Sequence, residues 1–140
     1  MQNNTRIIND LDALRSWCND LATTLIHGDV IALFGDLGAG KTTVAGFIIN
    51  ALAPQRSPIT SPTFNLVHTY AWHDNLIWHF DLYRLKNQLE VYELGWDEAL
   101  RGGLSIIEWP NIVEDLLPRN TITIKLSFDG ENRTLIQSRL

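Results

Sequence analysis

The chain has 140 residues, of which 45% are hydrophobic and 19% charged. That composition excludes a disordered or fibrous chain and suffices for a core built without metals or disulfides. A net charge of −5 excludes a basic module that grips nucleic acid unaided, and a single cysteine, Cys18, excludes a disulfide framework or a cysteine-built zinc site.

Asn9-Asp10 can cap a helix, and Leu11, Leu14, Trp17, Cys18, Leu21, Ala22 and Leu25 follow at helical spacing, so a helix is expected up to His27-Gly28. Cys18 lies on its apolar face, as a core residue does. Val30-Ile31-Ala32-Leu33-Phe34 is uniformly apolar and reads as a central strand buried on both faces. A glycine-rich turn leads into a helix from about Lys41 to Leu52, and Pro54 to Pro62 forms a polar loop. Phe64 to Ala71 and Leu76 to Phe80 have strand composition around a turn at His73-Asp74-Asn75, which predicts a hairpin. Short helices are expected over Gln88–Leu94 and Asp97–Leu100, then a strand over Leu104–Ile107 that ends at Glu108. A helical turn or two follows over Asn111–Leu117. Thr121–Ser127 alternates and should pair with Arg133–Gln137 across Asp129-Gly130. Together these predict one domain over residues 1–140, an α/β three-layer sandwich around a mixed sheet with antiparallel hairpins. No apolar run approaches the ~18–20 residues of a membrane span, and Met1 to Arg6 lacks the order of a signal peptide, so a cytoplasmic protein is expected.

Gly35-Asp36-Leu37-Gly38-Ala39-Gly40-Lys41-Thr42 matches G-x-x-x-x-G-K-[ST] between a predicted strand and a predicted helix. Such a loop curls its backbone N–H groups around phosphate oxygens, and the glycines leave no Cβ in the way. Lys41 adds positive charge toward the β- and γ-phosphates, and Thr42 offers a hydroxyl to Mg²⁺. Asp36, Leu37, Gly38, Ala39, Gly40, Lys41, Thr42 and Thr43 are therefore the candidate nucleotide-binding residues. None of the three lysines lies in N-K-x-D, and no aspartate is followed three residues later by glycine, which favours ATP over GTP.

Phosphoryl transfer also needs a carboxylate for Mg²⁺ and a group to orient the nucleophile. Glu108 and Asp81 each end an apolar run, where ligands of open α/β sheets gather; the plainer reading of each is an acidic residue capping a strand or turn. Glu108 best fits the metal-binding strand end because its strand is the more uniformly aliphatic. Thr63, at the end of the proline-bearing loop, can reach Mg²⁺ or the γ-phosphate on loop closure, or can simply initiate a strand. His68, His73 and His79 lack metal-ligand spacing; His79 shares Asp81's strand face and reads as a hydrogen-bonded structural histidine. Arg84 is either a charge-stabilising arginine or a surface ion-pair partner.

Four blocks then converge in order and spacing. Gly35 through Thr43, Thr60-Ser61-Pro62-Thr63-Phe64, His79-Phe80-Asp81-Leu82-Tyr83-Arg84-Leu85 and Ile107-Glu108-Trp109-Pro110 resemble the bacterial TsaE (YjeE) family, with Glu93-Leu94-Gly95 also similar. The resemblance covers nearly the whole chain and implies a P-loop ATPase needed for threonylcarbamoyladenosine (t6A37) formation in tRNAs that read codons beginning with A. It implies ATP and Mg²⁺ as cofactors. It also implies TsaD and TsaB as partners, with tRNA reached only through that complex. By motif, Lys41 and Thr42 hold phosphate and Mg²⁺. Thr63 belongs to a switch-like loop, Asp81 and Glu108 are the metal-binding and catalytic acids, and Trp109 is an aromatic beside the nucleotide or partner. Glu108 is the preferred group to orient water. A small-molecule kinase, or a nucleotide-gated interaction module that does not hydrolyse, are the competing functions. The kinase would need an acceptor pocket and lid, for which 140 residues leave little chain.

Overall fold

The computed structural model describes residues 4–62, 65–129 and 132–140. Seven strands form a single mixed sheet: β1 (Asn4–Ile8), β2 (Val30–Phe34), β3 (Val67–Trp72), β4 (Asn75–Asp81), β5 (Leu104–Glu108), β6 (Ile122–Asp129) and β7 (Asn132–Arg139). Their order across the sheet is β1-β7-β6-β2-β5-β4-β3. The four central strands are parallel (β4 to β5, β5 to β2, β2 to β6), while β3, β7 and β1 each join their neighbour antiparallel. The expected architecture of parallel strands with added hairpins is what forms.

Helices α1 (Leu11–Ala22) and α2 (Lys41–Leu52) cover one face, packing Leu14, Cys18, Val44, Ile48 and Ile49 against Ile31, Leu33, Ile77, Leu104 and Ile106. The other face carries α3 (Trp96–Gly102) and two 3₁₀ segments, Gln88–Leu94 and Pro110–Leu116, over Val30, Trp78, Phe80 and Ile107. Strand alternation sorts the residues: even and odd positions of one strand reach opposite layers, which is why β2 is apolar throughout and β5, apart from Ser105 and Glu108, is too. Trp78 stacks on Phe80, whose ring meets Trp96 edge-on. Two of the five tryptophans thus fill the second layer's core, and Trp72 is buried in the first.

Several boundaries differ from the sequence pattern. The first helix stops at Ala22 rather than running to His27, because the hydroxyls of Thr23 and Thr24 donate to the carbonyls of Asp20 and Leu21 and take over the last turn. The start is as expected, with the Asp10 side chain accepting from Ala13 N–H at 2.8 Å. Strand β3 begins at Val67, after Leu66 at φ +63; Phe64, expected as its first residue, and Thr63 lie outside the described residues. The expected turn residue Gly130 does as well, although the register of β6 with β7 runs through Asp129 and Asn132. Strand β1 has no counterpart in the sequence pattern: its residues are mostly exposed and polar, and only the edge of β7 gives it a partner. Among the described residues no helix is long and apolar enough to cross a membrane.

Cys18 is fully buried, and burial pushes its thiol up to about 12 from 9.0. The unfolded chain therefore ionises first, so this thiol contributes stability that is intact below pH 9 and declines as pH rises toward 12. Between those limits a Cys18→Ala chain should lose stability less steeply than the wild type, by about 1.4 kcal/mol per pH unit. Denaturant unfolding of both chains across alkaline pH measures the difference, and parallel slopes would refute it.

Candidate active site

Three adjacent parallel strands end at the same edge of the sheet. Leu33 and Asp81 are both register partners of Glu108, so the turn after β2, the end of β5 and the end of β4 lie side by side. The chain leaves β2 for α2 on one face and leaves β5 for the 3₁₀ segment on the other, then reaches β6 on β2's far side. The carboxyl end of β2 is thus a topological switch point, where open α/β sheets bind ligands.

The turn itself needs glycine. Gly38 and Gly40 take φ values of +82° and +105°, and a Cβ on Gly40 would lie 2.8 Å from Arg133 Nη1. Val44 N–H donates to Gly40 O at 3.0 Å and opens the helical ladder. The amides of Lys41, Thr42 and Thr43 precede that bond at the positive end of α2. Leu37 is exposed at the tip of the loop and Ala39 is buried beneath it, its N–H bound to Asp36 O.

Lys41 is 5% exposed and folds back on the loop, with Nζ donating to the carbonyls of Gly35 and Asp36. The ring of Trp109 covers the same ammonium at 3.8 Å, and Tyr83 packs against that ring at 4.8 Å between centroids. Burial lowers the lysine's pKa, opposed by the charges of Glu108, Asp81 and Asp36. Trp109 stands at φ +56°, a conformation unusual for a bulky side chain and one that collects at functional sites. Pro110 follows as the first residue of the 3₁₀ segment.

Glu108 is 3% exposed. Its Oε1 accepts the Thr42 hydroxyl at 2.7 Å, and its Oε2 meets His79 Nε2 at 2.6 Å. Asp81, also buried, accepts from the hydroxyl of Ser61 and from Tyr83 N–H at 3.1 Å. Odd-numbered residues of β4 and even-numbered residues of β5 share the face that α2 covers, so His79, Asp81, Glu108 and Thr42 converge. Lys41, Thr42, Asp81, Glu108 and Trp109 therefore form one cluster, and Thr43 lies beside it on α2. Thr63, the remaining sequence candidate, lies outside the described residues.

Two further contributors were not among the sequence candidates, although Ser61 lies in the Thr60–Phe64 block. Ser61 ties the proline-bearing loop to Asp81. Arg133, on β7, lies beside Gly40 with its guanidinium over the Phe128 ring at 4.9 Å. Its Nη1 is buried and has no hydrogen-bond partner among the described residues, and Ile8, Asn9, Asp10, Leu11 and Arg133 line a groove of about 190 Å³. Only the pairing of β7 with β6, two strands from β5, brings Arg133 here.

A mixed sheet with parallel central strands, and a glycine-rich turn between one of them and a helix, defines an α/β protein of P-loop-like fold. A sequence model for "Threonylcarbamoyl adenosine biosynthesis protein TsaE" matches residues 8–136. Curated relatives described as tRNA threonylcarbamoyladenosine biosynthesis protein TsaE include one from Rickettsia felis, 43% identical across 92% of this chain and 75% of its own. Another, from Rickettsia bellii, is 40% identical across 96% and 94%. The crystal structure of Bacillus subtilis YdiB superposes with a TM-score of 0.79 at 25% identity, covering 99% of this chain and 86% of that one. The chain belongs to the TsaE family.

The Ser61–Asp81 contact makes a local prediction. Ser61→Ala should speed tryptic cleavage after exposed Arg56 by roughly tenfold, since a hydrogen bond to a charged acceptor no longer holds the loop down. Mass spectrometry of timed digests reads the rate, and an unchanged rate would show that the serine does not restrain the loop.

Proposed function

We propose that this chain is a Mg²⁺-dependent ATP hydrolase that serves t6A37 formation in tRNAs reading codons beginning with A, in a cytoplasmic complex with TsaD and TsaB. Membership of the TsaE family supports the pathway. The observation that carries the chemistry is the Thr42–Glu108 contact at 2.7 Å directly behind a glycine-rich phosphate loop. The acidity of the chain fits a subunit that reaches tRNA only through its partners.

The residues fit Mg²⁺ bound together with a nucleotide. Thr42 and Glu108 present oxygen ligands beside each other, with the Asp81 carboxylate on the neighbouring strand. Among the described residues no three or more His, Cys, Asp or Glu side chains gather as an all-protein cage. One or two protein oxygens completed by phosphate oxygens is how Mg²⁺ is usually held. Bound there, the ion would neutralise charge on the β- and γ-phosphates.

The chain's own groups do the rest. The amides ahead of Val44 and the Lys41 ammonium bind phosphate oxygens, and Lys41 must first give up the carbonyls of Gly35 and Asp36. Glu108, held in a nearly dry pocket, orients the attacking water and accepts its proton. Asp81 supports the metal side of the site and couples it to the loop through Ser61. Arg133 adds a cation on the β7 side of the loop, and the groove beside it takes the nucleoside end. Closure of the loop that carries Thr63 on binding TsaD and TsaB would complete the site, so hydrolysis by the chain alone should be slow.

Lys41→Ala should weaken ATP binding measured by calorimetry; full affinity would undo the phosphate-loop assignment. Glu108→Ala should keep most ATP binding yet lose about 10²-fold or more of phosphate release in the presence of TsaD and TsaB. Unchanged turnover there would remove Glu108 from catalysis.

A further inference from the structure

His79 lies in the same space as this cluster and has no part in the chemistry above. It sits on β4 with Ile106 as its register partner and Ile77 two residues back on the same face. A leucine or phenylalanine would suit those neighbours. The imidazole there is 0% exposed, and its Nδ1 has no hydrogen-bond partner among the described residues. An unpaired buried nitrogen costs stability, so packing does not account for a histidine at this position.

What the histidine supplies is one donor. Its Nε2 lies 2.6 Å from Glu108 Oε2, diagonally across the β4–β5 pair. An ionised carboxylate only accepts, so Nε2 carries the proton. The other carboxylate oxygen is the one that meets Thr42 at 2.7 Å. The terminal torsion of a glutamate is broad and roughly two-fold, so without a partner at Oε2 either oxygen could turn toward Thr42, or neither.

We propose that His79 is a positioning residue, whose Nε2–H holds Oε2 of Glu108 so that Oε1 is presented with Thr42 to the metal and the attacking water. This rests on the reading of Thr42 and Glu108 as the Mg²⁺ and water site. It is a geometric role, exercised through the Glu108 carboxylate. Outer partners that orient a metal ligand are worth about 10- to 100-fold in metal affinity or activity.

The test compares the wild type with His79→Phe, which keeps a ring but no donor, and with His79→Gln, whose amide nitrogen reaches about as far as Nε2. Binding of a non-hydrolysable ATP analogue is titrated at a series of Mg²⁺ concentrations, and phosphate release is measured with TsaD and TsaB. His79→Phe should bind the analogue without Mg²⁺ as the wild type does. It should need about tenfold more Mg²⁺ for half of the metal's effect, and its turnover should fall by about 10- to 100-fold. His79→Gln should recover most of both. If His79→Phe does not fold, His79→Asn replaces it, since its amide stops short of Glu108. A Phe or Asn variant with the wild type's Mg²⁺ requirement would overturn the proposal. So would a folded Gln variant as impaired as the Phe variant, because the ring's shape rather than its donor would then matter. Wild-type binding that ignores Mg²⁺ would overturn the metal assignment and this proposal with it, and the wild type alone reveals that case.

Discussion

A carboxylate almost wholly withdrawn from water must be met by donors or positive charge, and Glu108 is the carboxylate around which this structure is arranged. One oxygen takes the Thr42 hydroxyl from α2, the other takes His79 from β4, and the Lys41 ammonium interacts with its charge. The two hydrogen-bond partners arrive on different elements. The contact therefore constrains the seating of α2 on the sheet and the register of β4 against β5 at the same time. A slip of one residue in that register would send His79 and Asp81 to the opposite face, into the layer of Trp78, Phe80 and Trp96.

The glycine-rich loop and the acids are coupled through this arrangement. Lys41 is turned back onto the loop's own carbonyls and roofed by Trp109, the residue directly after Glu108. The backbone of Trp109 occupies the left-handed region, which a tryptophan adopts only when its surroundings over-determine it. Here those surroundings are the Lys41 ammonium on one side, the Tyr83 ring on the other, and a proline that begins the next turn. The cover over the lysine and the end of β5 are thus one continuous piece of chain. Asp81 extends the coupling to the loop of residues 54–62 through Ser61.

Elements whose partners are local were legible from residue order. Asp10 before an apolar stripe, the apolar run of β2, the largely apolar run of β5 and the glycine-rich turn each carry their own signal. The end of α1 was not legible from apolar spacing, because Leu25 continues the stripe while two threonine hydroxyls close the helix earlier. Strand β1 was not legible either, since an exposed, polar edge strand is defined by the neighbour that accepts it. The same division runs through the site. Lys41, Thr42, Asp81, Glu108 and Trp109 could be named from motif and position, whereas the contact of Ser61 with Asp81, inside a motif block that names no such role, and the place of Arg133 beside Gly40 are spatial relations alone.

Length and composition bounded the chain from the outset: enough apolar residues to bury a core without metals or disulfides. The order of the residues determined the glycine-rich loop, the two acids at strand ends and the family, because backbone curvature, strand burial and motif spacing are local properties. Tertiary structure alone decided which oxygen of Glu108 faces Thr42, what holds the other, and that a cation from β7 stands beside Gly40. Those relations depend on strand order and register, and they join residues distant in sequence through contacts of about 3 Å.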